Sequence, residues 1–489
     1  MKNNKKIIFN KIYQILRKKC EQRAGSLYRN YIAIEKIASQ FNKLQRLNIQ
    51  DKKNNILQSL PKEGEANIVL LLEKNLEKAL ADKDKKWISQ LYCHLGAIYA
   101  FEDKKIKAIE YYQKAILLNP KKLESYIFCG FLYLDEGKFD DAQTCLEKIF
   151  ADEFKVSWRR PYNLLGFRHR FLLTAIAYSG LANVSVHQGD LREATIRLFI
   201  ALKYFEKKDM KNETAGVYQR LGIIYRIAGN SDVSEEMHKT ALRIYQELDW
   251  KEDIADSYGN LGMAMGVRED FETALEYHKK SLEINEGIQR IAAIASQYEN
   301  IGITYHMMQQ YNLAEENLRK ALKLFSKENV REAMARNCEN LGSLYEKNRN
   351  FEPALYINLQ ALRLYQEVKD QRGQAECHSN LGRLFHRIKN FEESIKHFNQ
   401  AINIEKKLGI NNVLSTTLNN LGLLYLEQEN VKLAEKNLRE ALDLERKNRR
   451  IISIGAIYKN LSCVEKLKEN PKKASEYQEQ AKKYFAEIK

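Results

Sequence analysis

Apolar residues recur along the chain at helical spacing, in runs that are separated by short polar turns. Within residues 90–120, one run contains Tyr92 and Tyr99 and the next contains Ala108 and Tyr112. This spacing predicts two helices joined by a turn. Further along, an apolar residue followed by glycine returns every 40 residues, at Leu221-Gly222, Leu261-Gly262, Ile301-Gly302, Leu341-Gly342, Leu381-Gly382 and Leu421-Gly422. A fixed period of this length predicts a solenoid of stacked repeats.

Small residues and turn residues mark a helix pair inside each repeat. Gly96, Ala108 and Ala115 fall where two helices must approach closely. Pro353 falls in the first turn of a second helix, where its missing N–H is expected to be harmless. An Asp or Asn that can cap the second helix recurs at one repeat position, at Asp270, Asn350, Asn390, Asn430 and Asn470. The pattern predicts stacked antiparallel helix pairs.

These residues resemble the tetratricopeptide repeat family. The family pattern of aromatic, Leu-Gly, Tyr, Ala, aromatic, Ala and Pro occurs in full within residues 92–120. The resemblance covers residues 67–489 and implies an all-α, right-handed α-solenoid of about ten helix-turn-helix units. The 40-residue units with Asn-Leu-Gly are similar to those of the Pins/LGN spindle-orientation scaffolds and of kinesin light chain arrays.

The repeat register divides the chain into five segments. They are a basic amphipathic N-terminal segment at 1–30, N-terminal capping helices at 31–88, two 34-residue units at 89–152, a basic and aromatic insertion at 153–174, and eight units of mostly 40 residues at 175–489. The last unit is an atypical capping repeat, since Ser462 replaces glycine and Glu465 replaces tyrosine. An outermost unit faces water and needs a polar cap.

The net charge of +16 is concentrated near the N-terminus. Residues 1–30 hold nine basic residues against the single acidic residue Glu21, and Ile8, Ile12 and Ile15 share one helical face. Three interpretations stay open: a first helix packed on its neighbour, an arm that binds an anionic surface or acidic partner, and an organellar transit peptide.

The cysteines and the hydropathy pattern predict the cellular environment. The seven cysteines include no C-x-x-C motif, which favours buried free thiols in a reducing compartment over a disulfide framework or a zinc site. No apolar run approaches the roughly 20 residues that a membrane span needs, and no secretory signal is present. We expect a soluble, cytoplasmic protein, with a cytoskeletal or ciliary location or mitochondrial import as alternatives.

The insertion at 153–174 combines aromatic residues with arginine. Such residues can form an interface hot spot or stack on nucleotides. The alternative is a longer connecting helix whose aromatic residues pack on the solenoid. The candidate residues of this second interface are Trp158, Arg159, Arg160, Arg168 and Arg170.

A row of asparagines precedes the Leu-Gly pairs. We call it the asparagine row, and it consists of Asn260, Asn300, Asn340, Asn380, Asn420 and Asn460. In the family this part of the first helix lines the concave surface, so the resemblance implies that the row points into a groove. An amide both donates and accepts hydrogen bonds, so the row predicts contacts to the main chain of an extended peptide. The alternative is that each amide bonds to a neighbouring helix.

Residues beside the row predict the chemistry of that peptide. Met263 and Ile303 offer an apolar floor, and Arg336, Arg383 and Arg387 can clamp a carboxylate or a phosphate. The predicted ligand is therefore a protein or peptide with hydrophobic anchors and an acidic group.

Catalytic, nucleotide-binding and cofactor motifs are missing from the sequence. His238 and His278 share the repeat position of Tyr112, so they are expected to pack between helices and not to act as catalytic bases. The predicted function is a non-enzymatic protein-interaction scaffold without a cofactor, in a cytoskeletal, ciliary or motor-associated complex. The alternative is an RNA-associated or organellar assembly factor that uses the basic arm and the insertion.

Overall fold

The computed structural model of the chain describes residues 66–150, 164–448 and 450–486. This part contains 21 α-helices, a short 3-10 helix at Lys148–Phe150 and no β-strand. The chain divides into two compact units, unit 1 at Met1–Arg268 and unit 2 at Glu269–Lys489. The predicted all-α architecture is confirmed, and the predicted basic segment 1–30 lies outside the described residues.

The described part of unit 1 begins with α1, Ala66–Ala81, and continues with four helix pairs and α10. The further helices are α2 and α3 (Lys85–Phe101, Lys105–Leu118), α4 and α5 (Leu123–Asp135, Phe139–Glu147), α6 and α7 (Leu164–His187, Leu191–Lys207), α8 and α9 (Lys211–Ile227, Ser231–Glu247), and α10 (Lys251–Val267). Helix α6 begins inside the predicted insertion 153–174, so the end of that segment belongs to a lengthened first helix.

Unit 2 begins with α11, Phe271–Gly287, and continues with five helix pairs. The pairs are α12 and α13 (Ile291–Met307, Tyr311–Lys327), α14 and α15 (Arg331–Lys347, Phe351–Glu367), α16 and α17 (Gln371–Arg387, Phe391–Leu408), α18 and α19 (Asn411–Glu427, Val431–Asn448), and α20 and α21 (Ile451–Leu467, Pro471–Ala486). Within each unit, the helices pack mainly on the helices before and after them in the chain, as a solenoid requires.

Most of the turns between helices share one backbone conformation. The middle residue of a three-residue turn has a positive φ, as at Gly229 (79°) and Gln309 (60°). A residue in this left-handed region ends a helix and redirects the chain. The following helix can therefore run back along the first, which gives the antiparallel pairs.

Four of the five predicted N-cap residues form a side-chain hydrogen bond at the start of a second helix. Asn390 Oδ1 accepts a hydrogen bond from the backbone N–H of Glu393 at 3.3 Å. Asn350 makes no such bond, because the residue three positions further on is Pro353, which has no N–H to donate. The proline that was expected to be harmless therefore removes this cap. The remaining predicted caps are formed in the same way, at Asp270, Asn430 and Asn470.

The recurring glycine allows close contact between the two helices of a pair. A Cβ atom on Gly382 would lie 2.7 Å from the buried ring of Phe398 on α17. Gly222 meets the ring of His238 in the same manner. As predicted, His238 and His278 are buried between helices, and burial lowers the pKa of each to about 4. Both side chains are therefore neutral near pH 7.

Candidate binding face on the first helices

The first helix of each pair exposes one stripe of residues. On α14 the residues between the stripe positions, such as Leu341 and Gly342, are buried. The first helices of successive repeats also contact one another, α8 with α10 in unit 1 and the series α12, α14, α16, α18 and α20 in unit 2. Their stripes therefore adjoin, and we call this surface the first-helix face of each unit. The stripe of α14 consists of Glu332, Arg336, Asn340, Ser343 and Lys347.

The asparagine row lies on these stripes, and each of its six side chains is half-buried. Asn340 donates from Nδ2 to Glu299 Oε1 on the preceding first helix, at 3.0 Å. Asn460 donates in the same direction to Asn419 Oδ1, at 2.8 Å. The amides of Asn380 and Asn420 make no side-chain hydrogen bond within the described part of the chain. The row therefore contains amides that are held by a neighbouring helix and amides that are free.

Two of the three predicted arginines are neutralised by the protein itself. Arg336 Nη2 lies 2.9 Å from Glu299 Oε2, and the Glu299 side chain is only 4% exposed. Arg383 holds Glu346 in a two-point contact, with 2.9 Å from Nε to Oε1 and 2.7 Å from Nη2 to Oε2. Arg387 is exposed and forms no ion pair with any described residue. Of the three arginines that were expected to clamp a carboxylate or phosphate of the ligand, Arg387 therefore stays unpaired. The role of Arg387 in binding stays a prediction.

Apolar side chains on the stripes are more exposed than the sequence pattern indicated. Met263 and Ile303, the predicted apolar floor, are half-buried. At the C-terminal ends of the first helices α8, α10 and α12, the residues Ile227, Val267 and Met307 are each about half exposed, at 52%, 49% and 50%. These three residues follow the Leu-Gly position at 40-residue steps, so the same period that revealed the asparagine row could have revealed them.

The predicted second interface falls largely outside the described residues. Trp158, Arg159 and Arg160 lie in the interval 151–163, and Arg168 and Arg170 belong to the first turns of α6, where only the backbone is described. In the described part of the chain, no group of three or more His, Cys, Asp or Glu residues could hold a metal ion. No helix there is both long and apolar enough to cross a bilayer.

Models of the tetratricopeptide repeat match the chain at residues 89–122, in four overlapping stretches from 213 to 407, and at 414–447, which together exceed half of its 489 residues. The chain belongs to the tetratricopeptide repeat family. The predicted family is therefore confirmed, while the likeness to Pins/LGN and kinesin light chain arrays stays a prediction. Tetratricopeptide arrays are protein-interaction scaffolds, and typically non-catalytic ones.

Solved structures with a similar fold include several Rap proteins. Aspartyl phosphate phosphatase F from Bacillus subtilis is 14% identical, with 73% of this chain and 93% of that chain covered and a TM-score of 0.49. The Rap conjugation regulator of plasmid pLS20, solved with the Phr* peptide, is 16% identical, with 75% and 97% covered and a TM-score of 0.48. The apo form of RapI is 19% identical, with 56% and 99% covered and a TM-score of 0.44. No curated protein matches the chain significantly.

Proposed function

We propose that the first-helix face of unit 2 binds an extended peptide segment of a protein partner, with the asparagine row contacting the peptide main chain. The observation that carries this proposal is the pair of free amides at Asn380 and Asn420, one repeat apart on adjoining stripes. A half-buried amide without a partner offers a donor and an acceptor, which match the C=O and N–H groups of a peptide.

The spacing of the repeats suits an extended chain. Neighbouring packed helices lie about 10 Å apart, and an extended peptide advances about 3.3 Å per residue. Consecutive amides of the row would therefore contact every third residue of the peptide. Such contacts supply affinity without selecting a sequence, so specificity depends on the side chains beside the row.

Asn340 and Asn460 are partly used by the protein. Each gives one N–H of Nδ2 to the preceding first helix, so its carbonyl oxygen and its second N–H stay available to a ligand. Asn380 and Asn420 lie on adjoining stripes and keep all their donors and acceptors, and we therefore place the centre of the peptide on α16 and α18.

The neighbouring side chains favour a peptide with apolar anchors. Leu423 and Met307 are exposed on the stripes of α18 and α12 and can cover leucine-sized or phenylalanine-sized side chains of a ligand. Arg387 supplies one free positive charge. The cytoskeletal, ciliary or motor-associated setting of the partner stays a prediction from the sequence.

The test is a double substitution of the two free amides. Peptides that bind the full chain are first selected by display, and their affinities are then measured by fluorescence polarisation. Asn380→Ala with Asn420→Ala should weaken binding about thirtyfold, because each amide loses a main-chain contact worth roughly 1 kcal/mol. The melting temperature should fall by no more than a few degrees, since both side chains lack a protein partner.

The matched control replaces two exposed asparagines of a second helix, Asn399→Ala with Asn403→Ala on α17. This variant should bind the selected peptides as the parent chain does. If the Asn380 and Asn420 double variant retains full affinity for every selected peptide, the asparagine row does not hold the peptide main chain and the proposal is wrong.

A further inference from the structure

A cavity of about 530 Å³ lies between the second helices α13 and α15 of unit 2, over the first helix α14. Its apolar lining comes from Leu322 of α13, from Met334 and Cys338 of α14, and from Leu364 of α15. The two residues of α14 are not part of the exposed stripe of that helix, so the cavity is separate from the first-helix face. Volumes of this size are typical of small-molecule sites.

The cavity lies where the repeat pattern loses a tyrosine. In the preceding unit, Tyr298 of α12 is half-buried and its ring centre lies 5.6 Å from Lys320 Nζ on α13. The corresponding residues here are Cys338 and Gln360, and both line the cavity. The space that a tyrosine ring fills in the preceding unit is therefore open in this one. Tyrosine also stands at this repeat position in three further units, at Tyr218, Tyr258 and Tyr458.

The floor of the cavity is apolar and uncharged. Cys338 is buried, and burial raises the pKa of its thiol to about 12, so the thiol is protonated near pH 7. Leu322, Met334 and Leu364 around it are each half-buried. An apolar ring is the occupant that such a floor favours, because covering these side chains removes apolar surface from water.

The rim of the cavity keeps two positive charges. Lys323 on α13 and Arg363 on α15 stand on opposite walls, are exposed, and form no ion pair with any described residue. The other two charged residues of the lining are paired within the protein, Arg319 with Glu315 at 2.8 Å and Glu367 with Arg331 at 3.0 Å. The unpaired charge at the rim therefore favours an anionic group on the ligand.

We propose that this cavity binds a small aromatic molecule that carries an oxyanion group. The ring takes the place of the missing tyrosine over Cys338, and the oxyanion lies at Lys323 and Arg363. Carboxylate and phosphate groups share this chemistry, since guanidinium and ammonium groups donate hydrogen bonds to the oxygens of both. The site uses no residue of the asparagine row, so the proposal does not depend on the proposed binding of a peptide.

The experiment titrates four small molecules against the full chain at about 150 mM salt by ligand-detected NMR. The aromatic oxyanions are para-hydroxyphenylacetate and phenyl phosphate, para-hydroxyphenylacetamide is the neutral counterpart, and acetate has the charge without the ring. At least one aromatic oxyanion should bind with a Kd below about 1 mM and about fivefold more tightly than the neutral amide, because each exposed cation adds a small gain. Acetate should bind at least about tenfold more weakly, because it leaves the apolar floor uncovered. The tighter of the two aromatic oxyanions identifies the preferred group.

Two substitutions of Cys338 test the position of the ring. Cys338→Tyr places the residue of four other units in the cavity, and it should weaken binding of the aromatic oxyanions at least about tenfold while the helical circular dichroism spectrum is retained. Cys338→Ala is the matched control, because it removes the thiol and keeps the space open. This variant should bind within about twofold of the parent chain.

Two double variants test the position of the oxyanion. Lys323→Gln with Arg363→Gln should lower the preference for the aromatic oxyanion over the neutral amide to less than about twofold, and both residues are exposed, so the fold does not depend on them. Lys432→Gln with Lys436→Gln on α19 removes two exposed and unpaired charges elsewhere in the described part of unit 2. It should leave the preference unchanged.

A Kd above about 1 mM for both aromatic oxyanions would overturn the proposal, and so would equal affinities for these ligands and the neutral amide. A Cys338→Tyr chain that binds as tightly as the parent chain would also overturn it. Asn380→Ala with Asn420→Ala should leave the affinity for the aromatic oxyanions unchanged, so a failure of the proposed function is distinguishable from a failure of this site.

Discussion

The first-helix faces of unit 1 and unit 2 use the same repeat positions with opposite electrostatic results. In unit 2, Arg336 and Arg383 are each held by a glutamate of the preceding first helix. In unit 1, the positions of those glutamates are filled by Ser179 and Arg226. Arg336 and Arg383 are thus paired within the protein, while Arg226 has no carboxylate within ion-pair distance among the described residues.

This difference shows what a repeat position does and does not determine. The position sets the side of the helix on which a side chain lies. Whether that side chain is free to bind a ligand depends on the residue that faces it on the preceding first helix. This facing residue lies 37 positions earlier for Arg336 and 41 positions earlier for Asn340. Binding specificity in such an array therefore depends on pairs of positions.

The largest expected effect on stability comes from removing the buried carboxylate of Glu299, which accepts hydrogen bonds from two side chains of the next first helix in unit 2. Glu299→Ala leaves Arg336 and Asn340 without their acceptor, and we expect the free energy of unfolding of unit 2 to fall by about 2 kcal/mol. Hydrogen exchange measured by mass spectrometry should show faster exchange in α12 and α14. The effect is moderate because the Arg336 side chain is about half exposed, at 55%.

The matched control is Gln219→Ala on α8, which occupies the corresponding repeat position in unit 1 and has no side-chain hydrogen bond within the described residues. It should change stability by less than about 0.5 kcal/mol. Equal losses from both substitutions would contradict the distinction between a paired and an unpaired face.

A smaller effect on stability is expected from the titration of a buried carboxyl group in unit 2. Glu405 lies at the repeat position of Tyr245 and Phe325, is fully buried, and accepts from Thr417 Oγ1 at 2.9 Å. Burial raises the pKa of this carboxyl to about 7, against 4.5 in the unfolded chain. Folding therefore favours the protonated form, so stability is greatest below pH 4.5 and is lost as the pH rises through 7.

Between pH 8 and pH 6 the free energy of unfolding around α17 should rise by about 1 kcal/mol for this group. Burial also raises the pKa of Glu339 to about 7, so that carboxyl should add a similar amount. Glu405→Gln should remove about 1 kcal/mol from the change between the two pH values, as measured by hydrogen exchange after correction for intrinsic rates. The parent chain and the Gln variant are compared directly, because burial lowers the pKa of histidines such as His397 on α17 and their contribution to stability changes with pH in the opposite direction. An unchanged pH response in the Gln variant would assign the rise to another group.

The fold was predictable from the sequence because the same packing position, a small residue between two helices, recurs in successive repeats. Gly382 packs against Phe398 and Gly222 packs against His238 at the same repeat position, as expected for small residues where two helices approach closely. The failed cap at Asn350 was also visible in the sequence, since Pro353 stands where the donor is needed.

The charge pairing was harder to predict, because it depends on the offset between stacked helices. A period of 40 residues places Arg383 on the same stripe as Ile303, but the acid that neutralises it lies 37 residues earlier, on a different repeat position. That offset follows from how neighbouring helices shift along each other, which the sequence does not display. The lack of a carboxylate partner at Arg226 could not be predicted for the same reason, because it depends on which side chains face this residue on the neighbouring helices.

The smallest expected change in stability belongs to a substitution that makes unit 2 resemble unit 1. Glu346→Gln frees Arg383, and because this arginine is 39% exposed, stability should fall by less than about 1 kcal/mol. The freed guanidinium should then strengthen binding of the capped peptide Ala-Glu-Leu-Ala-Glu-Leu a few-fold relative to the same peptide with glutamine for glutamate, measured by fluorescence polarisation. Glu316→Gln, which removes the same charge from an exposed pair with Lys320 on α13, should leave the ratio of the two affinities unchanged. If both substitutions raise the ratio equally, net charge governs the preference and the pairing of individual groove arginines does not.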